Sequence, residues 1–111
     1  MIELDKRYVF HIPLSKCCEG ELVRLDLRDV LDELITHFHQ HGFDSLYMSE
    51  VKSFYKSREY EELLITLFTS CDDFPEVIFK DWFGKSNSVL GQEAFAYECN
   101  GKMYIQECSK L

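Results

Sequence analysis

The run at residues 62–69, Glu-Leu-Leu-Ile-Thr-Leu-Phe-Thr, constrains the fold more than any other segment of the chain. A strand with one face in solvent alternates apolar and polar residues, whereas this run is apolar on both alternating faces. It therefore predicts a strand inside a sheet rather than at its edge. Residues 46–69 together predict a hairpin of two strands joined at the polar segment 56–59. We expect the rest of the chain to pack against this hairpin or to pair with it.

Length and charge limit the classes of protein to which the chain can belong. The chain has 111 residues, of which 46% are hydrophobic and 14% aromatic. This is enough for a single core, so we predict one α+β domain over residues 1–111. The net charge of −8 disfavours nucleic-acid binding, because neutralising phosphates requires clustered Lys and Arg. The same acidity suits simple solubility, or mimicry of nucleic acid toward a basic partner.

Cysteine spacing bears on the redox compartment, and hydropathy bears on targeting and on contact with a membrane. The five cysteines are odd in number and include no C-x-x-C pair, so neither a disulfide framework nor a zinc site is expected. The N-terminus lacks the basic and apolar regions of a signal peptide, and no apolar run approaches the ~18 residues of a membrane span. We predict a cytoplasmic protein that uses no cofactor and does not contact a membrane.

Two elements precede the hairpin. Residues 7–14 alternate and predict a strand that ends near Pro13, followed by an exposed loop at residues 15–20. A helix is predicted from Asp26, its capping residue, to Gly42, which suits a left-handed C-terminal cap. The first strand of the hairpin is then predicted over residues 43–54. It alternates less regularly, and a bulge near Glu50 is one explanation.

A second helix is predicted after the hairpin. Residues 70–73 offer caps, Pro75 suits the first turn, and Gly84 is expected to end the helix before a polar linker at residues 85–91. The expected buried stripe consists of Phe74, Val77, Ile78 and Trp82. Phe79 and Phe83 lie outside that stripe, four residues apart. Either the linker covers them or they form a patch on the helix that binds a partner.

The last segment completes the element order. Asn100-Gly101 between the runs 93–98 and 102–107 is typical of a tight β-hairpin. The order is β-α-β-β-α-β with an extra C-terminal hairpin strand. It resembles the ferredoxin-like (split βαβ) sandwich, in which two helices cover one face of an antiparallel sheet. The chain also resembles small uncharacterised bacterial α+β proteins with a Gln-Glu pair before their last strand pair, here Gln92-Glu93. That resemblance implies no particular activity.

The open face of the predicted sheet carries the candidate functional residues. His11 lies on the strand face opposite Phe10 and Ile12, where a histidine can act in acid–base chemistry or hydrogen-bond at an interface. The same side of the hairpin strand carries Leu64, Thr66 and Phe68. Because two of these are large and apolar, that face is expected to be covered by the chain itself or by a second subunit. We therefore predict a homo-oligomer, in the simplest case a dimer.

A run of histidines ends the first helix. His37 and His41 are four residues apart, the spacing that a pair of metal ligands uses on a helix. A third ligand and the glutamate of an H-E-x-x-H motif are missing, so they are weak metal candidates. A favourable interaction of imidazoles with the helix dipole is the preferred explanation.

These patterns support three functional hypotheses. The first is a small interaction or regulatory module, dimeric through its sheet face or its second helix. The alternative is an enzyme or small-ligand binder on the open sheet face, using His11 with a nearby Tyr or Glu. A third is an acidic inhibitor that mimics nucleic acid. A concave pocket beside His11 would favour the enzyme, a flat and filled sheet face the module, and rows of carboxylates with few cations the mimic.

Overall fold

The computed structural model describes residues 1–110, which form an α+β fold, and this class is confirmed. In chain order the elements are β1 (Lys6–Pro13), β2 (Ser15–Cys18), β3 (Glu21–Arg24), α1 (Arg28–Gln40), β4 (Leu46–Tyr55), β5 (Arg58–Thr69), α2 (Glu76–Leu90), β6 (Ala94–Cys99) and β7 (Lys102–Glu107), followed by a short 3-10 turn, Cys108–Lys110. Among the described residues, neither helix is long and apolar enough to cross a membrane.

The main sheet has the strand order β4-β5-β1-β6-β7, and every neighbouring pair is antiparallel. β5 has a hydrogen-bonded neighbour on each side, which confirms the interior strand predicted at residues 62–69. β1 lies at the centre, with Phe10 opposite Ile65 on β5 and Tyr97 on β6. Residues at these register positions share one face of the sheet, because side chains alternate along each strand.

An aromatic core joins this sheet face to both helices. Phe10 is fully buried, and its ring centroid lies 5.4 Å from that of Phe38 in α1 and 4.6 Å from that of Phe79 in α2. Tyr8 and Ile12, which share the face of Phe10, are also buried. The opposite face of β1 carries His11, so the core fixes the direction in which this histidine points.

The second helix differs from its prediction in length. α2 begins at Glu76, continues through Gly84 and ends at Leu90, where Gly91 adopts a left-handed conformation with φ of 62°. A glycine inside a helix costs only about 1 kcal/mol relative to alanine. Burial of Leu90, whose side chain has no exposed surface, offsets that cost.

The buried face of α2 also corrects the sequence prediction. Phe74 and Val77 of the expected stripe are 58% and 64% exposed, whereas Phe79 and Phe83 are fully buried. The rings of Phe79 and Phe83 both contact Phe95 of β6, at centroid distances of 5.8 and 5.3 Å. The partner-binding patch at Phe79 and Phe83, one of the two alternatives that the sequence left open, is therefore wrong, because both rings belong to the core.

Two further segments differ from expectation. The loop predicted at residues 15–20 is part of a small hairpin of β2 and β3, whose turn residues Glu19 and Gly20 both have positive φ. β4 pairs with β5 in one continuous register from Leu46 to Tyr55, without the bulge suggested near Glu50. The irregular alternation of β4 has another cause: it is an edge strand, where apolar side chains need not be buried.

The predicted end of the first helix is confirmed, and its start is shifted. Gly42 has φ of 83°, its N–H donates to the carbonyl of His39 at 3.0 Å, and the N–H of Phe43 donates to that of Phe38 at 2.9 Å. This is the Schellman arrangement, which satisfies the last carbonyls of a helix. At the other end the capping residue is Leu27, and Asp26, one residue earlier, accepts a bond from the N–H of Arg28 at 3.3 Å.

Candidate active site on the open sheet face

The sheet face opposite Phe10 carries one histidine between two glutamates. His11 lies opposite Leu64 on β5 and Ala96 on β6. Glu62 and Glu98 are each two residues from one of these partners, so alternation puts them on the face of His11. The three central strands thus bring together the Glu–His–Glu cluster of His11, Glu62 and Glu98.

The cluster is hydrogen-bonded and still reachable from solvent. Nε2 of His11 lies 2.7 Å from Oε2 of Glu98, and Nδ1 lies 3.4 Å from Oε2 of Glu62. The side chains of His11, Glu62 and Glu98 are 17%, 30% and 29% exposed. Charges in such a partly buried setting interact more strongly than in bulk water. A ligand that approaches this face can therefore contact the carboxylates of Glu62 and Glu98, which His11 already holds in place.

The protonation of His11 follows from its neighbours. Hydrogen bonding to Glu62 raises the pKa of His11, partial burial opposes that rise, and hydrogen bonding to Glu98 adds to it. A protonated imidazole donates from both ring nitrogens, which is what two flanking carboxylates require. With an imidazolium between two carboxylates, the cluster carries one net negative charge. It is suited to a cationic ligand group.

This assignment predicts a stability contribution that depends on pH. Because the pKa of folded His11 is raised above 6.5, its contribution is fully present below that pH and is lost as the pH rises through the folded value. We expect His11→Gln to lower the free energy of unfolding by about 1 to 3 kcal/mol near pH 5.5, and by less near pH 9. Urea unfolding of both proteins at the two pH values measures the difference.

The matched control for this prediction is His39→Gln. His39 also contacts a carboxylate, Asp44 at 2.7 Å, but its side chain is 77% exposed. Exposed ion pairs contribute little, so the control should resemble the wild type at both pH values. An equal loss for His11→Gln at both pH values would contradict a charged imidazole in the cluster.

A groove of about 590 Å³ opens beside the cluster. Its walls come from the end of β1 with the β2–β3 hairpin, from the β4–β5 hairpin, and from the connection between α2 and β6. Among the residues that line it are Tyr55, Tyr60, Glu62 and Glu93. The volume lies in the range of small-molecule pockets. Since Glu62 belongs to both the groove and the cluster, the concave pocket expected of an enzyme lies next to His11.

Of the other predicted residues of this face, Leu64 lies directly opposite His11, whereas Thr66 and Phe68 lie farther along β5. Thr66 is 3% exposed, whereas Leu64 and Phe68 are half-buried. Hydrogen bonds from Thr66 and then Arg7 lower the pKa of Tyr47, and the Tyr47 and Phe68 ring centroids are 6.5 Å apart. The structure therefore brings Leu64 beside His11 and covers Thr66 and Phe68 partly with side chains of the same chain.

The histidines of α1 lie away from this cluster and have other contacts. Nδ1 of His41 is hydrogen-bonded to the carbonyl of His37 at 2.8 Å, and Nε2 of His37 lies 3.7 Å from Glu33. Both line a small groove of about 260 Å³ against α2. In residues 1–110, no group of three or more His, Cys, Asp or Glu side chains is arranged to hold a metal ion.

Sequence reasoning selected His11 but not its partners. Glu62 has the parity of Leu64 within the run 62–69, so its face could have been read from alternation. Glu98 had no such signal, because its position depends on the register between β1 and β6, strands separated by most of the chain. The groove depends on the same long-range pairing.

The fold is similar to two solved structures of a phage enzyme. One is a phage SAM lyase in complex with S-methyl-5′-thioadenosine, with a TM-score of 0.56 and 11% identity over 92% of this chain and 88% of that chain. The other is a phage SAM lyase in its apo state, with a TM-score of 0.57 and 13% identity over 96% and 94%. No protein-family model and no curated protein matches the chain. The resemblance to small α+β proteins is thus confirmed at the level of the fold.

These findings contradict the main functional hypothesis, the dimeric interaction or regulatory module. The solved structures that share the fold belong to a lyase, which is an enzyme. In addition, the open face next to His11 holds an accessible charged cluster beside a groove, not a flat and filled surface. The alternative hypothesis, an enzyme or small-ligand binder around His11, fits both findings better.

Proposed function

We propose that this chain is an enzyme that binds and cleaves SAM (S-adenosylmethionine) on the open face of its sheet. The observation that carries this proposal is the Glu–His–Glu cluster, which is half-buried, negative and open to a groove. SAM is a small molecule with two cationic groups, a sulfonium and an ammonium, and such groups suit paired carboxylates. The fold shared with a phage SAM lyase supports this substrate class.

The chemistry begins with the bond between sulfur and the aminobutyryl chain. Its cleavage leaves S-methyl-5′-thioadenosine, the molecule bound in one of the similar structures. The bonding electron pair passes to sulfur and removes the positive charge. In one route, as that bond breaks, a carboxylate oxygen of the same substrate bonds to the carbon that was attached to sulfur, closing a lactone. In a second route the neighbouring C–H bond supplies the pair, a base takes the proton, and an alkene forms. Both routes balance without a further reactant.

The cluster has a role in either route. Glu62 and Glu98 attract the cationic groups of the substrate, and in the second route one of these carboxylates takes the proton. His11 is a positioning residue, because its two ring nitrogens hold both carboxylates at 3.4 and 2.7 Å. Holding charged groups before the substrate arrives lowers the cost of arranging them during the reaction.

The wild-type protein provides the first test. We expect purified protein to consume SAM faster than the spontaneous decay of SAM and to release S-methyl-5′-thioadenosine, followed by chromatography. Proton NMR of the second product distinguishes a lactone from an alkene. Glu107→Gln is a control variant that should cleave SAM at the wild-type rate, since Glu107 lies on the same face at the edge strand β7 and outside the cluster. Decay of SAM at the rate without protein would contradict the proposal.

The contacts of other carboxylates give less support to the nucleic-acid mimic. Arg24 pairs with Glu61, and Lys85 lies 3.0 Å from Asp81. Cations are thus interspersed among the acidic residues, whereas the mimic hypothesis requires few of them.

We also propose that the fold is ferredoxin-like in its strand order and in the placement of its helices. When β1, β4, β5 and β6 are counted as the first to fourth strands, the third lies between the first and the second. This order supports a ferredoxin-like, split βαβ arrangement, and the contacts of Phe10 with α1 and α2 support two helices on one face. A cytoplasmic location and self-association stay predictions. Light scattering at tens of micromolar protein tests self-association, and a monomer at that concentration would contradict it.

A further inference from the structure

The wall of the groove on β5 offers an aromatic surface next to the cluster. Tyr60 is two residues before Glu62, so both side chains project from the same face of the strand, and Tyr60 lies opposite Ser53 of β4. Tyr60 is half-buried, whereas Tyr55, farther along the hairpin, is 64% exposed. A partly fixed tyrosine ring is a surface on which a nucleobase stacks, and its hydroxyl offers a hydrogen bond.

The opposite wall offers a carboxylate on a fixed segment. Glu93 lines the groove in the connection between α2 and β6, and its carbonyl accepts a bond from the N–H of Cys108 at 2.8 Å. The preceding Gln92 donates from its side-chain amide to the carbonyls of Ser15 and Leu90 at 3.1 and 2.7 Å. The backbone N–H of Gln92 also donates to Oδ1 of Asn87 at 2.9 Å, and its carbonyl accepts a bond from the side-chain amide of Asn87 at 3.0 Å, so the backbone is held at residues 92 and 93. A carboxylate accepts several hydrogen bonds, as the two hydroxyls of a ribose require.

The spacing of Tyr60 and Glu62 along β5 is comparable to the length of a nucleoside. Residues two apart on a strand are separated by about 7 Å, so Tyr60 and Glu62 are separated by roughly the length of a nucleoside from its base to its 5′ substituent. A base on Tyr60 therefore brings the 5′ end of the ligand to Glu62, where the groove meets the cluster. The groove volume of about 590 Å³ is sufficient for this ligand.

We infer that the groove between Tyr60 and Glu93 is a nucleoside subsite, which stacks a purine on Tyr60 and hydrogen-bonds a ribose through Glu93. This inference rests on the proposed function for the direction in which the 5′ sulfur points. Binding of the base and the ribose does not itself require the cleavage step, so the two proposals fail in different ways.

Calorimetric titration with S-methyl-5′-thioadenosine tests the subsite. Because Tyr60→Leu removes the ring on which the base stacks, we expect it to weaken affinity by about tenfold or more. Glu93→Gln is expected to weaken it by about fivefold, through the lost charge-assisted bonds to the ribose. Phe54→Leu is the matched control, because Phe54 is 74% exposed and lies on the other face of the same hairpin. Its affinity should equal that of the wild type.

The outcomes separate the subsite from the reaction. If the wild type cleaves SAM but Tyr60→Leu and Glu93→Gln leave nucleoside affinity and KM unchanged, the subsite is wrong and the proposed function stands. If the nucleoside binds with the expected dependence on Tyr60 but SAM is not cleaved, the subsite stands and the reaction is wrong. No binding of the nucleoside to the wild type at millimolar concentration overturns the subsite. Glu93 is exposed, so its variant remains informative if Tyr60→Leu does not fold.

Discussion

Glu98→Gln is expected to lower kcat/KM for SAM cleavage by about 10- to 100-fold, because it removes a charge-assisted contact worth about 1.5–3 kcal/mol. Glu98 lies 2.7 Å from His11, and its neutral amide would leave the imidazolium with Glu62 as its remaining carboxylate partner in the cluster. The net negative charge that attracts a sulfonium or an ammonium would then be lost. Steady-state kinetics on the purified variant measure this effect.

The control for this prediction removes a carboxylate from the same sheet face. Glu107 of β7 lies opposite Ala94 and outside the cluster, so Glu107→Gln should cleave SAM as the wild type does. Circular dichroism during thermal unfolding checks that both variants are folded. A rise in KM alone would assign Glu98 to substrate binding, whereas a fall in kcat would assign it to the reacting complex. Equal activity of the two variants would contradict the role of the cluster.

Phe79→Ala is expected to lower the free energy of unfolding by about 3–5 kcal/mol, as for other large core aromatics. Phe79 is fully buried, and its ring lies 4.6 Å from Phe10 and 5.7 Å from Phe83, centroid to centroid. Since domains of this kind are stable by only about 5–15 kcal/mol, the variant would lose a large part of its stability. Urea unfolding followed by tryptophan fluorescence reports the change, because Trp82 lies in the same core.

A second substitution in α2 provides the comparison. Val77 is 64% exposed, so Val77→Ala should change the free energy of unfolding by no more than about 0.5 kcal/mol. The apolar stripe inferred from the sequence gives the opposite ranking, with Val77 buried and Phe79 exposed. A larger loss for Val77→Ala than for Phe79→Ala would show that α2 presents the other face to the sheet.

The contrast between α1 and α2 shows which parts of the fold are predictable. The end of α1 was predictable because Gly42 is a local signal: its left-handed conformation acts within one turn of the helix. The buried face of α2 was not. Its sequence offers two sets of apolar residues at helical spacing, and the sheet selects the set with Phe79 and Phe83. The periodicity of the sequence alone does not show which of the two sets is buried.

The candidate site also has one part that could be predicted from the sequence and one part that could not. Alternation along residues 7–14 was sufficient to put His11 on the face opposite Phe10, because neighbouring side chains of a strand point to opposite sides. Its two glutamates come from strands that lie more than fifty residues from it in sequence. Their approach depends on the antiparallel registers of β1 with β5 and β6.

Periodicity along single elements was enough to predict the α+β class, the interior strand at residues 62–69 and the face of His11. Three features became visible only in the folded chain: the buried face of α2, the hairpin of residues 15–24, and the contact of Glu98 with His11 beside a groove. These depend on contacts between distant segments, whose pairing is selected by burial and hydrogen bonding over the whole domain. The interior strand that is apolar on both faces meets the core with one face and carries Glu62 beside His11 on the other.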